Sequence, residues 1–311
     1  MRSLPEALRA WGVAAIAGLA LLGAGTVPAA EPAHDETIAE RDQRLISEAL
    51  AAMPPQRPGR PDLFVLGFAG DGNEDVFRNE VLYLEQLMDG RFQAGGRVLT
   101  LVNHFDSLDE DAPRPLATLG NLTWALAGIG EAMDPAEDLL LLFITTHGTE
   151  DHELVAELAP LVDELITPDQ LAGAIAQSGV GNRAVVVSAC YSGGFLPALR
   201  SDDALVITAA RKDRTSFGCG AASHVTWFGQ AWLVDGLNRH DDFMAAFNDA
   251  RAAVARREKE EDFTASHPQI HVGTRIRPVL DAWRASFEAG PPVAYPWEPA
   301  PQPASEAAGD P

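Results

Sequence analysis

Two residues that can do covalent chemistry stand at the ends of two apolar runs. Residues 139–146 are mostly apolar and lead directly into His147, and residues 184–187 lead through two small residues to Cys190. An imidazole gives or takes a proton near neutral pH, and a thiolate is a strong nucleophile. If the two runs are neighbouring strands, His147 and Cys190 lie at one edge of a sheet as base and nucleophile.

Both runs have the character of strands inside a parallel sheet. A strand without a polar face is buried on both sides, as happens where helices cover both faces of a sheet. Similar runs alternate with stretches of helical spacing, so the sequence predicts an α/β fold with a mostly parallel central sheet flanked by helices. Strands are predicted at 63–68, 97–103, 138–146, 184–187, 204–208 and 269–272, and helices at 37–53, 76–88, 116–133, from 167, at 225–237, 242–257 and 277–287. Residues 150–166 are predicted to form a long acidic excursion over the edge of the sheet.

Length and composition are those of a globular protein. The chain has 311 residues, of which 46% are hydrophobic and 22% charged, enough for one large domain or two small ones and for a sizeable core. Its formal net charge of −22 argues against a nucleic-acid partner, because binding the phosphate backbone needs clusters of Lys and Arg. The composition leaves the oligomeric state open.

The chain divides into four predicted regions. Residues 1–30 have a positive start, an apolar stretch and small residues for cleavage, which is typical of a signal peptide; an uncleaved membrane anchor is the alternative, because 17 apolar residues are near the lower limit for a span. The protein is therefore expected to be exported, to the periplasm or outside the cell. Residues 31–61 are predicted as an N-terminal helix and linker, 62–289 as the main domain, and 290–311 as a disordered tail rich in Pro and Ala.

Other candidate sites are weaker than the pair His147 and Cys190. His147 and His152, with acidic neighbours, do not have the spacing of a helical metal motif, so no metal and no cofactor is predicted. Ser192 lacks the glycine two residues before it that a serine nucleophile elbow requires. Gly148 leaves room for a substrate carbonyl, and its N–H together with that of Cys190 is a candidate pair of oxyanion donors.

The two strand ends resemble those of the legumain-like cysteine peptidases, within the wider group that has the caspase-like fold. The resemblance lies in LLLLFITTHG at 139–148 and AVVVSACYSGG at 184–194, and it covers roughly residues 61 to 273. The segments GFAGDG at 67–72, TAA at 208–210 and RTSFGC at 214–219 are similar to the bacterial branch. The resemblance implies a caspase-like three-layer sandwich.

The resemblance also assigns roles to individual residues. It implies that Cys190 is the nucleophile, that His147 is the acid and base, and that the N–H groups of Gly148 and Cys190 bind the oxyanion. Legumain carries an acidic residue shortly before the cysteine, where this chain has Ser188. Asp71, Ser188 and Thr208 are the candidates for the substrate pocket. The family often has an Asn after the first strand to orient the histidine, whereas no Asn occurs here until Asn73.

Two functions are therefore in competition. The first is a cysteine endopeptidase that hydrolyses peptide bonds of a peptide or protein substrate through a thioester on Cys190, with transamidation as a related outcome. The alternative is an exported binding module that retains the caspase-like fold without the chemistry.

Cys219 is the second of two cysteines and has two interpretations. A disulfide with Cys190 would silence the nucleophile until it is reduced, whereas an unpaired Cys219 would simply pack in a loop that lines the substrate site. A catalytic cysteine works as a free thiolate, so Cys219 is predicted to be unpaired. Replacing it by serine should keep activity with or without reductant.

Overall fold

The structure is a computed structural model that describes residues 36–220 and 223–297. The chain divides into the units 1–36 and 37–311, and every element named below belongs to the second unit. The predicted leader at 1–30 and residues 298–311 of the predicted tail lie outside the described residues.

A six-stranded sheet forms the centre of the domain. Its strand order is β2-β1-β3-β6-β7-β8, and all neighbours are parallel except β7 and β8. The prediction of a mostly parallel sheet is therefore confirmed. The strands of this sheet are β1 (Leu63–Ala69), β2 (Val98–Val102), β3 (Leu139–Thr145), β6 (Asn182–Ser188), β7 (Ala204–Thr208) and β8 (Gln269–Val272).

Helices cover both faces of the sheet, which gives the predicted three-layer α/β sandwich. Successive residues of each central strand point to opposite faces, and each face has its own apolar cluster. One cluster is completed by α2 (Asp75–Gly90), α8 (Phe243–Glu260) and α9 (Ile276–Ala285). The other is completed by α1 (Ile38–Ala52), α3 (Leu119–Ala132), α4 (Pro168–Gln177) and the short α5 (Leu196–Leu199).

The helix starts follow from local chemistry. Thr37 and Thr167 each accept a hydrogen bond from the backbone of the third residue that follows, and the Glu40 and Gln170 side chains accept from the threonine N–H groups in return. These capping boxes satisfy backbone donors that a helix leaves free at its N-terminus. Helices predicted from 37 and from 167 are found within one residue of those positions.

Two predictions about the elements differ from the structure. The excursion at 150–166 contains an antiparallel hairpin, β4 (Leu154–Leu158) and β5 (Val162–Ile166), and the residues of β4 alternate between buried and partly exposed positions. The helix predicted at 225–237 has a π-helical middle: α6 (Trp227–Gly229) continues through Gln230–Gly236 into α7 (Leu237–Arg239).

The predicted tail also begins later than Gly290. Val293, Tyr295 and Trp297 pack against the apolar cluster that contains α2. The Tyr83 hydroxyl donates to the Val293 carbonyl at 2.7 Å, so this segment is fixed to the domain. Among the helices of the described residues, none has the length and apolar character needed to cross a membrane.

Candidate active site

The pairing of β3 with β6 brings His147 and Cys190 to the same level of the sheet. Thr145 and Ser188 are partners in the parallel register, and His147 and Cys190 each follow two residues later. The Thr146 N–H extends the pairing by donating to the Ser188 carbonyl at 3.2 Å. The prediction that these two strands are neighbours is therefore correct, and the imidazole and the thiol share one edge.

Both side chains line a narrow cleft. Its remaining wall comes from the ends of the two strands, from Phe77 of α2, and from the segment that follows β7. The free space in the cleft is about 10 Å³, which is room for about one water molecule. The lining residues are Phe77, Thr146, His147, Ser188, Ala189, Cys190, Ser216, Phe217, Cys219 and Thr226.

The Cys190 thiol is partly buried and is held by one residue. Its Sγ accepts from the Ser216 N–H at 3.3 Å and donates to the Ser216 carbonyl at 3.5 Å. Burial raises the pKa of the Cys190 thiol, against the smaller effect of the Ser216 backbone. The resting thiol is therefore neutral at neutral pH. The next residue, Tyr191, has a left-handed backbone conformation with φ +54°, which a residue with a side chain adopts at an energetic cost.

The His147 imidazole is surrounded by anionic groups. Its Nε2 lies 3.5 Å from Oε1 of Glu74, and its ring meets the ring of Phe77 edge-on, with 5.0 Å between the centroids. Hydrogen bonding to Cys219, together with the negative charges of Glu74 and Asp71, raises the pKa of His147 to about 9, against the opposing effect of burial. The imidazole is consequently a cation at neutral pH.

Glu74 and Cys219 complete the surroundings of His147, and neither was assigned a role at the histidine from the sequence. While one oxygen of Glu74 faces the imidazole, the other accepts from the Gly220 N–H at 2.7 Å. Glu74 thus connects His147 to the loop that carries Cys219. The available signal was an acidic residue in the turn between β1 and α2, close to where the family often has an Asn. Both cysteines are free thiols in the structure.

Gly148 lies directly against the backbone of Cys190. A Cβ atom at Gly148 would come within 2.1 Å of the Cys190 carbonyl oxygen, so only glycine fits there. Within the part of the chain that the structure describes, neither the Gly148 N–H nor the Cys190 N–H donates to a carbonyl or carboxylate of another residue. The two predicted oxyanion donors are thus uncommitted there.

The three candidates for the substrate pocket have different surroundings. Ser188 is buried and lines the cleft, with its hydroxyl 3.5 Å from that of Thr226. Asp71 is outside the lining; it is buried, accepts from the Asn73 N–H at 2.7 Å, and acts on His147 through its charge. Thr208 is fully buried, and its hydroxyl donates to the Ala210 carbonyl at 3.1 Å. Asp71 and Thr208 were predicted to belong to the substrate pocket, but neither lines the cleft in this structure.

A buried carboxyl lies beneath the cleft and joins three elements. Glu80 of α2 accepts from the Thr145 hydroxyl at the end of β3 at 2.6 Å, and from the Thr226 N–H before α6 at 2.7 Å. Complete burial raises the pKa of Glu80, which its hydrogen bonds oppose. This carboxyl fixes the strand end that carries His147 relative to the segment before α6.

Ser192 is correctly excluded as a nucleophile. Its side chain is fully buried, and its oxygen accepts from the Ala210 N–H at 3.1 Å. A substrate carbonyl has no access to an oxygen in this position.

The comparison with protein families agrees with the resemblance in the sequence. A model described as the Peptidase C13 family matches residues 117–278, just over half of the chain and a range that includes His147 and Cys190. No curated protein matches the chain. Among solved structures, the crystal structure of caspase-1 from Spodoptera frugiperda is similar with a TM-score of 0.47 at 15% sequence identity, over 71% of this chain and 89% of that chain.

Proposed function

Because the chain belongs to the Peptidase C13 family, we propose that it is a cysteine endopeptidase that cleaves peptide bonds through a thioester on Cys190. The observation that carries the proposal is the matched register of β3 and β6, which leaves an imidazole and a thiol beside one cleft. The family match supports a cysteine peptidase in general, and the roles of individual residues belong to the proposal.

The first half of the reaction forms the thioester. Deprotonated Cys190 attacks the substrate carbonyl carbon, a C–S bond forms, and the carbonyl electrons move to oxygen. The N–H groups of Gly148 and Cys190 stabilise that oxyanion. The C–N bond then breaks as His147 donates its proton to the leaving nitrogen.

The second half returns the enzyme to its starting state. Water attacks the thioester carbonyl and gives a proton to His147, a carboxylic acid is formed, and the C–S bond breaks to release the Cys190 thiolate. If an amine attacks in place of water, the product is a new amide, which is the transamidation alternative.

The resting protonation states set an order for these steps. His147 already carries the proton that the leaving amine needs, because its pKa is raised to about 9. The Cys190 thiol has a raised pKa and is bound to Ser216. The thiol proton must therefore leave to solvent before the attack, since a cationic His147 cannot accept it, and the thiolate regains a proton from solvent after product release.

Substrate entry requires the cleft to widen. A space of about 10 Å³ holds one water molecule and no amino-acid side chain. Ser216, Phe217 and Cys219 form the wall on one side, so the loop at 211–220 is the part that we expect to move.

Incubation of the full chain with a mixed peptide library, followed by sequencing of the products, tests the proposal and defines the preferred cleavage site. We expect Cys190→Ala to lose both turnover and labelling by a thiol-directed acyl probe. Ser192→Ala is the matched control, because it changes the neighbouring hydroxyl and leaves the thiol in place. Full turnover by Cys190→Ala would refute the thioester. Absence of turnover in the folded wild-type protein would favour the binding module instead.

A further inference from the structure

Cys219 has no step in the proposed hydrolysis, yet it faces the histidine. It is exposed, lines the cleft, and lies in the loop opposite the end of β3. One donor atom each from Glu74, His147 and Cys219 lies within 4.8 Å of the other two. A carboxylate oxygen, an imidazole nitrogen and a thiol sulfur therefore converge on one point.

This set of donor atoms matches the preferences of Zn²⁺. Zinc binds thiolate, imidazole and carboxylate at about 2.0–2.3 Å, and sites with three protein ligands keep a fourth position for water. Mg²⁺ and Ca²⁺ prefer oxygen ligands, so a thiol and an imidazole disfavour them. The three donor atoms are farther apart than in a filled site, so they must move closer together when the metal binds.

The surrounding contacts already orient two of the three ligands. The second oxygen of Glu74 accepts from the Gly220 N–H at 2.7 Å, which fixes the loop residue next to Cys219. The Phe77 ring packs edge-on against His147 and limits its rotation. Contacts that hold ligands in position in this way are typical of metal sites.

We propose that Glu74, His147 and Cys219 form a Zn²⁺ site and that the bound metal holds the enzyme inactive. Zinc binding releases the Cys219 thiol proton to solvent and uses the ring nitrogen that would otherwise carry a proton. His147 then has no proton for the leaving amine. The inhibitory consequence rests on the proposed peptidase function, whereas metal binding itself does not.

Cobalt spectroscopy tests the site independently of activity. Co²⁺ is added alone to the full chain, and thiolate ligation is read from the near-ultraviolet charge-transfer band. Because the chain has only two cysteines, the variants Cys190→Ser and Cys219→Ser each retain a single thiol. We expect the band in the wild type and in Cys190→Ser, its loss in Cys219→Ser, and its removal when Zn²⁺ displaces the cobalt. Circular dichroism verifies that each variant is folded.

Two further variants define the ligand set. Glu74→Gln should weaken Co²⁺ binding by at least about 10-fold, since even the loss of a supporting contact costs 10- to 100-fold. His240→Gln removes a histidine that also pairs with a carboxylate, Asp249, and should leave binding unchanged. A wild type without the band, a band that survives in Cys219→Ser, or one lost in Cys190→Ser would overturn the proposal.

Peptidase assays then examine the consequence of metal binding. Zn²⁺ should abolish wild-type turnover, and a chelator should restore it, whereas Glu74→Gln should need at least about 10-fold more Zn²⁺ for the same inhibition. Turnover that persists when the cobalt band shows the site to be filled would overturn the inhibitory role. If the wild type has no turnover at all, the proposed peptidase function fails, and the spectroscopic result still decides the metal site.

Discussion

At the scale of single residues, the charge on His147 has the largest effect on the proposed chemistry. Hydrogen bonding to Cys219 and the charges of Glu74 and Asp71 together hold the pKa of His147 at about 9 although the ring is partly buried. Burial of Cys190 disfavours the charged thiolate and therefore raises the pKa of the thiol. In the proposed mechanism the resting protein therefore has its acid, His147, ready and its nucleophile, Cys190, protonated.

The first prediction concerns the pH dependence of kcat/KM. In the wild type, kcat/KM should rise with pH as Cys190 forms its thiolate, and the alkaline limb, where this rise stops, should begin at about 9, because His147 then loses the proton that the leaving amine needs. Glu74→Gln removes a negative charge 3.5 Å from Nε2, so the pKa of His147 should fall. The alkaline limb of the profile should then move to lower pH by about one unit.

The profile is measured with one cleaved peptide across neutral and alkaline pH. Asp249→Asn is the matched control, because it removes a carboxylate that pairs with a different histidine, His240. An alkaline limb that stays at the same pH in Glu74→Gln would show that this carboxylate does not set the pKa of His147.

The second prediction concerns the contact between Gly148 and the nucleophile. In Gly148→Ala, the new methyl group would meet the Cys190 carbonyl oxygen at 2.1 Å and push the two backbones apart. Because this moves both expected oxyanion donors, kcat should fall by about 100-fold or more. In the control Gly173→Ala, the nearest atom to the new Cβ is 3.8 Å away, and activity should be unchanged. Equal activity of both variants would contradict the oxyanion assignment.

The sequence identified the site residues that stand at strand ends and missed those that come from loops. His147 and Cys190 were predictable because parallel strands deliver both to one edge. Glu74 lies 73 positions before His147 in the chain, and Cys219 follows a different strand, so their approach to the imidazole depends on tertiary packing. Thr208 is on the neighbouring strand as expected, yet its hydroxyl bonds to the backbone instead of facing the cleft.

At the scale of elements, the loop at 211–220 closes the cleft and is held by an aromatic cluster. The Phe217 ring lies 4.7 Å from the Phe263 ring and 5.3 Å from that of Trp227, between centroids. The Arg257 guanidinium stacks over Trp227 at 4.1 Å. Phe263 is exposed and follows α8, so this cluster connects the loop to a remote helix end.

The third prediction is that Phe263→Ala loosens this loop. Losing about 1 kcal/mol of aromatic contact should raise the population of the open loop about fivefold. The rate of Cys190 alkylation should rise by the same factor, measured in a Cys219→Ser background so that only one thiol reacts. Phe105→Ala removes another exposed phenylalanine and is the control. Identical alkylation rates would mean that the aromatic cluster does not hold the cleft closed.

The success of the element predictions depended on burial. Strands β1, β3 and β7 are buried along their whole length and β6 at every residue except Arg183, so continuous apolar runs identified them. The hairpin of β4 and β5 was not recognised because Val155 and Leu165 occupy outward positions, so neither LVAEL nor VDELI has the apolar–polar alternation of a half-buried strand. The π-helical stretch Gln230–Gly236 alters the spacing of the apolar residues too little to be recognised in the sequence.

At the scale of the whole molecule, the segment 291–297 packs against the domain and contacts a residue between the Cys219 loop and α6. Asn238 accepts from the Val293 N–H at 2.8 Å, and the Val293 carbonyl accepts from Tyr83. The Tyr295 hydroxyl donates to the His224 carbonyl at 2.6 Å, in the segment between the Cys219 loop and α6. The predicted tail that contains this segment is rich in Pro and lacks periodicity, which predicted disorder. An irregular segment that packs onto a core also lacks a repeating pattern, so the sequence did not distinguish the two.

The last prediction compares two truncations of this end. Removing 298–311 leaves all three hydrogen bonds in place, whereas removing 291–311 eliminates them together with the packing of Tyr295 and Trp297. At about 1 kcal/mol for each bond, the longer truncation should lower the free energy of unfolding by about 3 kcal/mol or more relative to the shorter one. Denaturant unfolding of the two proteins measures this difference.

Removing the Tyr295 hydroxyl distinguishes an effect of the terminal segment on the candidate active site from its effect on stability. Tyr295→Phe removes only the hydroxyl that binds the His224 carbonyl and should cost about 1 kcal/mol. Because that carbonyl precedes α6, beside the Cys219 loop, alkylation of Cys190 should also become faster than in the parent protein. Tyr83→Phe loses its bond to Val293 and the one it accepts from Asn238, both away from the cleft, so it should destabilise the protein by at least as much without changing the alkylation rate. Equal alkylation rates in the two variants would show that the terminal segment stabilises the domain without reaching the active site.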